Sequence, residues 1–264
     1  MRSAFKMHFE THEGLVPKDT LFIHGNMASS RWWRPVLRVL QERPGAGKAP
    51  GALIFADWRG SGRSPDPDSA SDMDMERLAR DYVDLLTDIG RRHVNVVGHS
   101  TGGLIALLAM RRSPETFHRA VLLDSVGAKG IALGSGMREA FHRMAGDKPF
   151  AAQVIASTLH GPAALRPFVT VELAEDAFRA ARSLKTWVLD ALERVDYEGD
   201  IRAVSQPTLV LHGEHDAVLP MEGSRRLAAL PPGGSFKELK GRGHCANVED
   251  PEGFIGLVED FLFR

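Results

Sequence analysis

Short apolar runs, rich in β-branched and aromatic residues, recur along the chain and alternate with segments whose apolar residues fall at helical spacing. Roughly alternating residues from Ala4 to Glu10 predict a strand near a sheet edge. Thr20–His24, Ala52–Ala56, Val94–Val97, Ala120–Asp124, Pro207–His212 and Ser235–Lys240 read as further strands. Most are apolar on both faces, so they predict a mainly parallel sheet covered by helices on each side. Trp33, Val36, Leu37 and Leu40 predict a helix from about Ser30, with Trp33 in the core. A second stripe, Leu78, Tyr82, Leu85, Leu86 and Ile89, ends at Gly90 and is opened by a capping-box pattern, Ser71-x-x-Asp74. Leu104–Met110, Met221–Leu230 and Pro251–Phe263 complete the helices of this repeating part.

The alternation stops after Val126. A glycine-rich hinge, Gly127–Gly136, leads into helix-like segments carrying Phe141, Met144, Val154, Ile155, Leu173, Phe178, Leu184, Trp187 and Leu192. No strand pattern appears before residue 197. The expected division is therefore a core of residues 1–126 and 197–264 with a helical cap over residues 127–196.

The sharpest local signal lies between a strand and a helix, in Gly98-His99-Ser100-Thr101-Gly102. Gly98 and Gly102 lack the Cβ atoms that would collide when strand and helix are pinched together. Ser100 is left at the apex of a strained turn, at a helix N-terminus where free N–H groups favour developing negative charge. This is the G-x-S-x-G arrangement of a serine nucleophile.

A serine hydroxyl needs a base to take its proton, and neutral imidazole suits that task near pH 7. Of 11 histidines, His244 follows the last strand within a glycine-flanked loop, at the sheet edge where sites form. His99 adjoins the serine but is expected to point into the sheet, and His24 to make structural hydrogen bonds. His8, His12, His93, His118, His142 and His160 have no supporting context. The imidazole in turn needs a carboxylate to fix its tautomer. Asp216, just past the strand ending at His212, is the first choice. Glu214 is expected to point elsewhere, and Asp124, at the end of another strand, is the alternative acid. For the oxyanion, the N–H of Thr101 and that of Asn26 are the expected donors, with Met27 the fallback for the second. Met27, Trp187 and Val218 are candidate pocket residues, and Phe141 is conceivable in that role. Packing within the cap is the stronger expectation for Trp187 and Phe141.

Composition removes other classes. The 264 residues are 43% hydrophobic and 25% charged with a net charge of −1, so no global field favours nucleic acid or an anionic membrane. The single cysteine, Cys245, rules out an intrachain disulfide or a cysteine-rich zinc site, and reads as a small buried residue. Arg43–Gly51 superficially suggests a phosphate loop, but Ala49 stands where Ser or Thr is required, and a strand follows rather than a helix. The first residues lack the apolar core of a signal peptide and no run reaches the ~20 residues of a membrane helix. The expectation is a cytoplasmic protein without metal or cofactor, acting on a small molecule, as a monomer or homodimer.

His24-Gly25, Asp57-x-Arg59-Gly60-x-Gly62-x-Ser64, Gly98-His-Ser-Thr-Gly102, Gly213-Glu-His-Asp216 and Gly243-His-Cys-Ala-Asn-Val-Glu249 occur in order across the chain. Together they make it resemble the α/β-hydrolase superfamily, of the capped, esterase- or lipase-like kind. The resemblance implies a three-layer α/β/α sandwich with a mostly parallel eight-stranded sheet, a helical cap and a metal-free triad. It also implies that the Asp57–Ser64 motif is structural, with its arginine tying down loops. A serine nucleophile favours acyl transfer, whereas dehalogenase and epoxide-hydrolase relatives use Asp at that position. The expected reaction is hydrolysis of a carboxylic ester, or a lactone or thioester, of a small to medium, largely apolar substrate. A carbon–carbon bond hydrolase, a cofactor-free haloperoxidase or perhydrolase, and a non-catalytic ligand receptor are the rivals that the resemblance leaves.

Overall fold

A computed structural model describes residues 5–132 and 134–263. Seven strands form one sheet: β1 (His8–Val16), β2 (Thr20–Ile23), β3 (Gly51–Asp57), β4 (Val94–His99), β5 (Phe117–Leu123), β6 (Thr208–Gly213) and β7 (Gly234–Leu239). Their order is β1-β3-β2-β4-β5-β6-β7, with β1 antiparallel at one edge and every other pairing parallel. Among the described residues the sheet has one strand fewer than the eight that the resemblance implies, and seven matches the number of strand-like runs read from the sequence.

Side chains alternate between the two faces of each strand. Leu21 and Ile23 of β2 pack with Ile54, Ala56, Val96 and Leu122 on one face, against α2 (Met75–Asp88) and α3 (Thr101–Arg112). Phe22 joins Leu53, Phe55, Val97, Val121 and Leu211 on the other, under α1 (Arg34–Gln41) and the C-terminal helix Pro251–Leu262. Trp33 is fully buried on that second face, its ring 5.0 Å from that of Phe22. Burying each such side chain contributes about 1.5–3 kcal/mol.

The edge strand is displaced from its expected position. Ala4 lies outside the described residues, and pairing runs from His8 to Val16 rather than stopping at Glu10. Polar residues from Glu10 to Glu13 give little apolar alternation, yet β3 supplies a full ladder for them, and a bulge near Gly14 (φ +82°) bends the strand's end. The capping box is also shifted. The N–H of Ser69 bonds Asp72 Oδ2 (3.1 Å), closing a short 3-10 turn, while Asp74 itself caps α2 by accepting from Glu76 and Arg77. Gly90 ends that helix as expected, at φ +68°, with Arg91 N–H bonded back to the Leu86 carbonyl.

Between β5 and β6 the described residues form α4 (Ser135–Met144), α5 (Lys148–Ser157), α6 (Ala174–Leu184), α7 (Trp187–Leu192) and α8 (Glu198–Arg202), with no strand among them. Leu133, within the expected hinge, lies outside the described residues. Met144, Ile155, Val169, Leu173 and Leu184 are buried and continuous with the apolar cluster of the α2/α3 face. Among the described residues no helix is long and apolar enough to cross a membrane.

Candidate active site

The turn between β4 and α3 is as tight as its glycines require. A Cβ on Gly98 would lie 2.5 Å from the Gly102 carbonyl oxygen, and one on Gly102 would lie 2.4 Å from that of Ile23. Ser100 sits between them at φ +54°, a conformation that side chains rarely adopt and that clusters at functional sites. Its N–H donates to the Leu123 carbonyl, and its own carbonyl accepts from Gly103 and Val126. Thr101 is the first residue of α3, so its N–H belongs to the unpaired first turn of a helix.

The loop after β2 packs directly on this apex. A Cβ on Gly25 would come within 3.0 Å of Ser100 Cβ. His24 holds the loop: its Nδ1 donates to the Gly25 carbonyl (2.8 Å) and its Nε2 accepts the Trp58 N–H (3.3 Å). Burial lowers its basicity, and neutrality suits this structural role. The Met27 N–H is bonded to Asn26 Oδ1 (2.9 Å), which commits it locally. Met27 is buried at φ +56°.

His244 and Asp216 meet across two loops at the same edge. His244 Nδ1 lies 2.8 Å from Asp216 Oδ2, while Asp216 Oδ1 accepts the N–H groups of Val218 (2.7 Å) and Leu219 (3.1 Å). Burial works to raise the Asp216 carboxyl, but the His244 hydrogen bond and charge and the two N–H groups outweigh it, holding it below the usual range. Because a carboxylate only accepts, Nδ1 carries the proton and Nε2 is left as the basic nitrogen.

Several contacts that sequence reasoning missed fix His244 in place. Its N–H donates to the Thr158 carbonyl (3.2 Å). Its carbonyl accepts from His99 Nε2 (2.9 Å), and the His99 ring stacks on Trp32, centroids 6.1 Å apart. Burial drives the His99 pKa down to about 3, so the ring is neutral. His99 does point into the protein as expected, but it also touches the main chain of the proposed base. Glu249 accepts from Gly243 (2.7 Å), Cys245 (3.3 Å) and, across to the inserted helices, His160 (3.1 Å). No local pattern marks the contacts of Thr158, His99 and His160, because these residues reach the His244 loop from segments far away in sequence.

Other candidates fall elsewhere. Glu214 is exposed and bonds the Gly241 N–H and Lys240. Asp124 is fully buried beside the acid, with Oδ1 accepting the Gly213 N–H (2.8 Å). Val218 is 38% exposed, and its main chain rather than its side chain engages Asp216. Trp187 opens α7, half-buried with Lys185 Nζ 4.4 Å above its ring, and Phe141 is half-buried against the same apolar cluster. Cys245 is buried, and burial raises its thiol well above the usual range, so it stays protonated. Arg59 forks onto Asp81, Nε to Oδ2 at 2.6 Å and Nη2 to Oδ1 at 3.0 Å, tying loop to helix.

This combination of fold and turn defines a class. The family described as the alpha/beta hydrolase fold matches residues 21–251, and the chain belongs to it. Among individual proteins, it is 30% identical over 266 residues to 2-hydroxy-6-oxo-2,4-heptadienoate hydrolase of Pseudomonas putida, covering 95% of this chain and 91% of that one. Its structure resembles that of an enol-lactonase from Burkholderia xenovorans (TM-score 0.83, 20% identity, 98% and 97% of the two chains). An esterase from Rhodococcus sp. is similarly close (TM-score 0.79, 25% identity, 98% and 95% covered).

Proposed function

We propose that the protein is a carboxylic ester hydrolase for a small to medium, largely apolar substrate, working through Ser100, His244 and Asp216. The observation that carries this reading is the 2.8 Å bond between His244 Nδ1 and Asp216 Oδ2, at the edge where Ser100 stands strained at φ +54°. Asp216 holds the imidazole with Nε2 unprotonated. Ser100 Oγ attacks the acyl carbon while Nε2 takes its proton, then returns it to the leaving alcohol. The N–H groups of Thr101 and Asn26 hold the oxyanion; the engagement of the Met27 N–H by Asn26 Oδ1 favours Asn26 over Met27. Water, deprotonated by the same histidine, then releases the acid.

Residues 127–196 are assigned as a cap that walls the pocket, with Trp187, Met27 and Val218 the candidate lining residues. The Pseudomonas relative named above acts on a dienoate, whose carboxylate calls for a cation in the pocket. Among the described residues the one buried cationic side chain is Arg59, and Asp81 already engages it. That favours a neutral ester, while the 30% identity keeps carbon–carbon hydrolysis as the second reading.

A p-nitrophenyl acyl series of increasing chain length, run beside a dienoate carbon–carbon substrate with wild type and Ser100→Ala, separates the two. Ester hydrolysis that peaks at one chain length and vanishes in Ser100→Ala is expected. Turnover of the dienoate alone would replace the ester reading with the second.

A further inference from the structure

Behind the His244–Asp216 hydrogen bond lies a second carboxyl that the reaction does not use. Asp124 follows β5 at φ +45°, and its side chain is wholly buried. Its Oδ1 accepts the Gly213 N–H at 2.8 Å, with His212 Nδ1 3.3 Å away; among the described residues no N–H donates to the buried Oδ2, and the carboxyl lies within hydrogen-bonding reach of that of Asp216. His212 Nδ1 also lies 2.9 Å from Ser224 Oγ, and its Nε2 lies 3.6 Å from Asp216 Oδ2. One side-chain atom from each of Asp124, His212 and Asp216 falls within 4.8 Å of the other two.

Two buried carboxyls this close strongly disfavour carrying a charge each. Asp216 has the stronger claim on the charge, since His244 and two N–H groups face it. Asp124 is faced by one N–H, by the neutral His212, by Asp216 and, further off, by Glu249. We propose that Asp124 keeps its proton throughout the reaction and shares it with Asp216, so that the pair carries one negative charge behind His244. Asp124 is thus a positioning residue: a neutral acid whose O–H steadies the carboxylate that orients the base. Burial first, and the charge of Asp216 second, raise its carboxyl well above the usual range, and burial keeps His212 uncharged. The proton that His244 takes from Ser100 goes back to the leaving group and never enters this pair. The inference rests on the triad reading above.

The test uses the full chain as wild type, Asp124→Asn and Asp124→Leu. Infrared difference spectra at pH 8, with aspartate carboxyl carbons labelled, show in wild type a carboxylic-acid C=O band that Asp124→Asn removes. Asn keeps a neutral donor, so the acid limb of the kcat/KM profile for a p-nitrophenyl ester stays where it is. Leu cannot donate, and kcat falls about 10- to 100-fold with KM little moved. An acid limb displaced in Asp124→Asn, or a wild-type spectrum without that band, overturns the proposal. Should Asp124→Leu not fold, the spectra and the Asn profile decide it alone. The band is read without substrate, so failure here is distinct from failure of the triad: Ser100→Ala turning over esters would sink the latter and leave the band intact.

Discussion

Ser100 stands at φ +54° because glycines on either side let main chain approach main chain within contact distance. Gly98→Ala and Gly102→Ala each place a methyl within 2.5 Å of backbone oxygen, with no flexible side chain to yield. Each is expected to cost about 1–3 kcal/mol, read as a drop of roughly 2–4 °C in Tm per kcal/mol. Asp216→Asn, which reverses the imidazole tautomer without altering shape, should lower kcat about 10⁴-fold; a loss under tenfold would show that another group orients His244. The loops that carry Ser100, His244 and Asp216 were legible because each has its own local signature, and the contact between the last two followed from theirs. Asp124, His212 and Ser224 were not legible as a cluster, since β5, β6 and the helix Met221–Ala228 bring them together only in three dimensions.

At the scale of elements, the turn bearing His244 is stitched to the inserted helices. Thr158 takes its N–H, and Glu249, ending the short helix Ala246–Glu249, holds Gly243, Cys245 and His160 together. Glu249→Ala frees three main-chain donors. It is expected to lower Tm by several degrees, and kcat more than KM, because the base rather than the pocket is displaced; an unchanged kcat would separate the stitch from catalysis. The sequence carried the alternation of strands and helices well, since both faces of β2, β4 and β5 are apolar. It misplaced β1 because a polar edge strand is set by its neighbour's ladder, not by its own pattern. It misread the capping box by two residues because Ser69 and Ser71 precede equivalent acids, Asp72 and Asp74, and only the fold chooses between them.

Across the whole molecule, the buried titratable groups set how stability follows pH. The pKa of His99 drops from 6.5 to about 3 on folding, so between those values the unfolded chain binds more protons than the folded one. Stability from this group is present above pH 6.5 and is lost as pH falls toward 3, with His24 and His212 acting in the same direction. Asp124 acts oppositely: its raised carboxyl stays protonated in the fold, so its contribution declines as pH rises above the ordinary carboxylate value. Thermal melts from pH 4 to 8 should show wild type losing Tm on the acid side, and His99→Gln, which keeps a donor for the His244 carbonyl, showing a shallower loss. Equal slopes would mean that His99 is not buried neutral. The mainly parallel sheet and the run of helices without a strand pattern between Val126 and Pro207 were legible at this scale. The seven-stranded count was legible too, in the runs themselves, and the borrowed expectation of eight obscured it.

The central claim is that Ser100 is the nucleophile, and labelling tests it most directly. A serine-reactive phosphonate is added in slight excess to wild type and to Asp216→Asn, followed by peptide mass spectrometry and residual esterase activity. The expected result is one adduct per chain on the peptide carrying Ser100, loss of activity in step with labelling, and much slower labelling of Asp216→Asn. Labelling at another residue, or full labelling with activity retained, would contradict it.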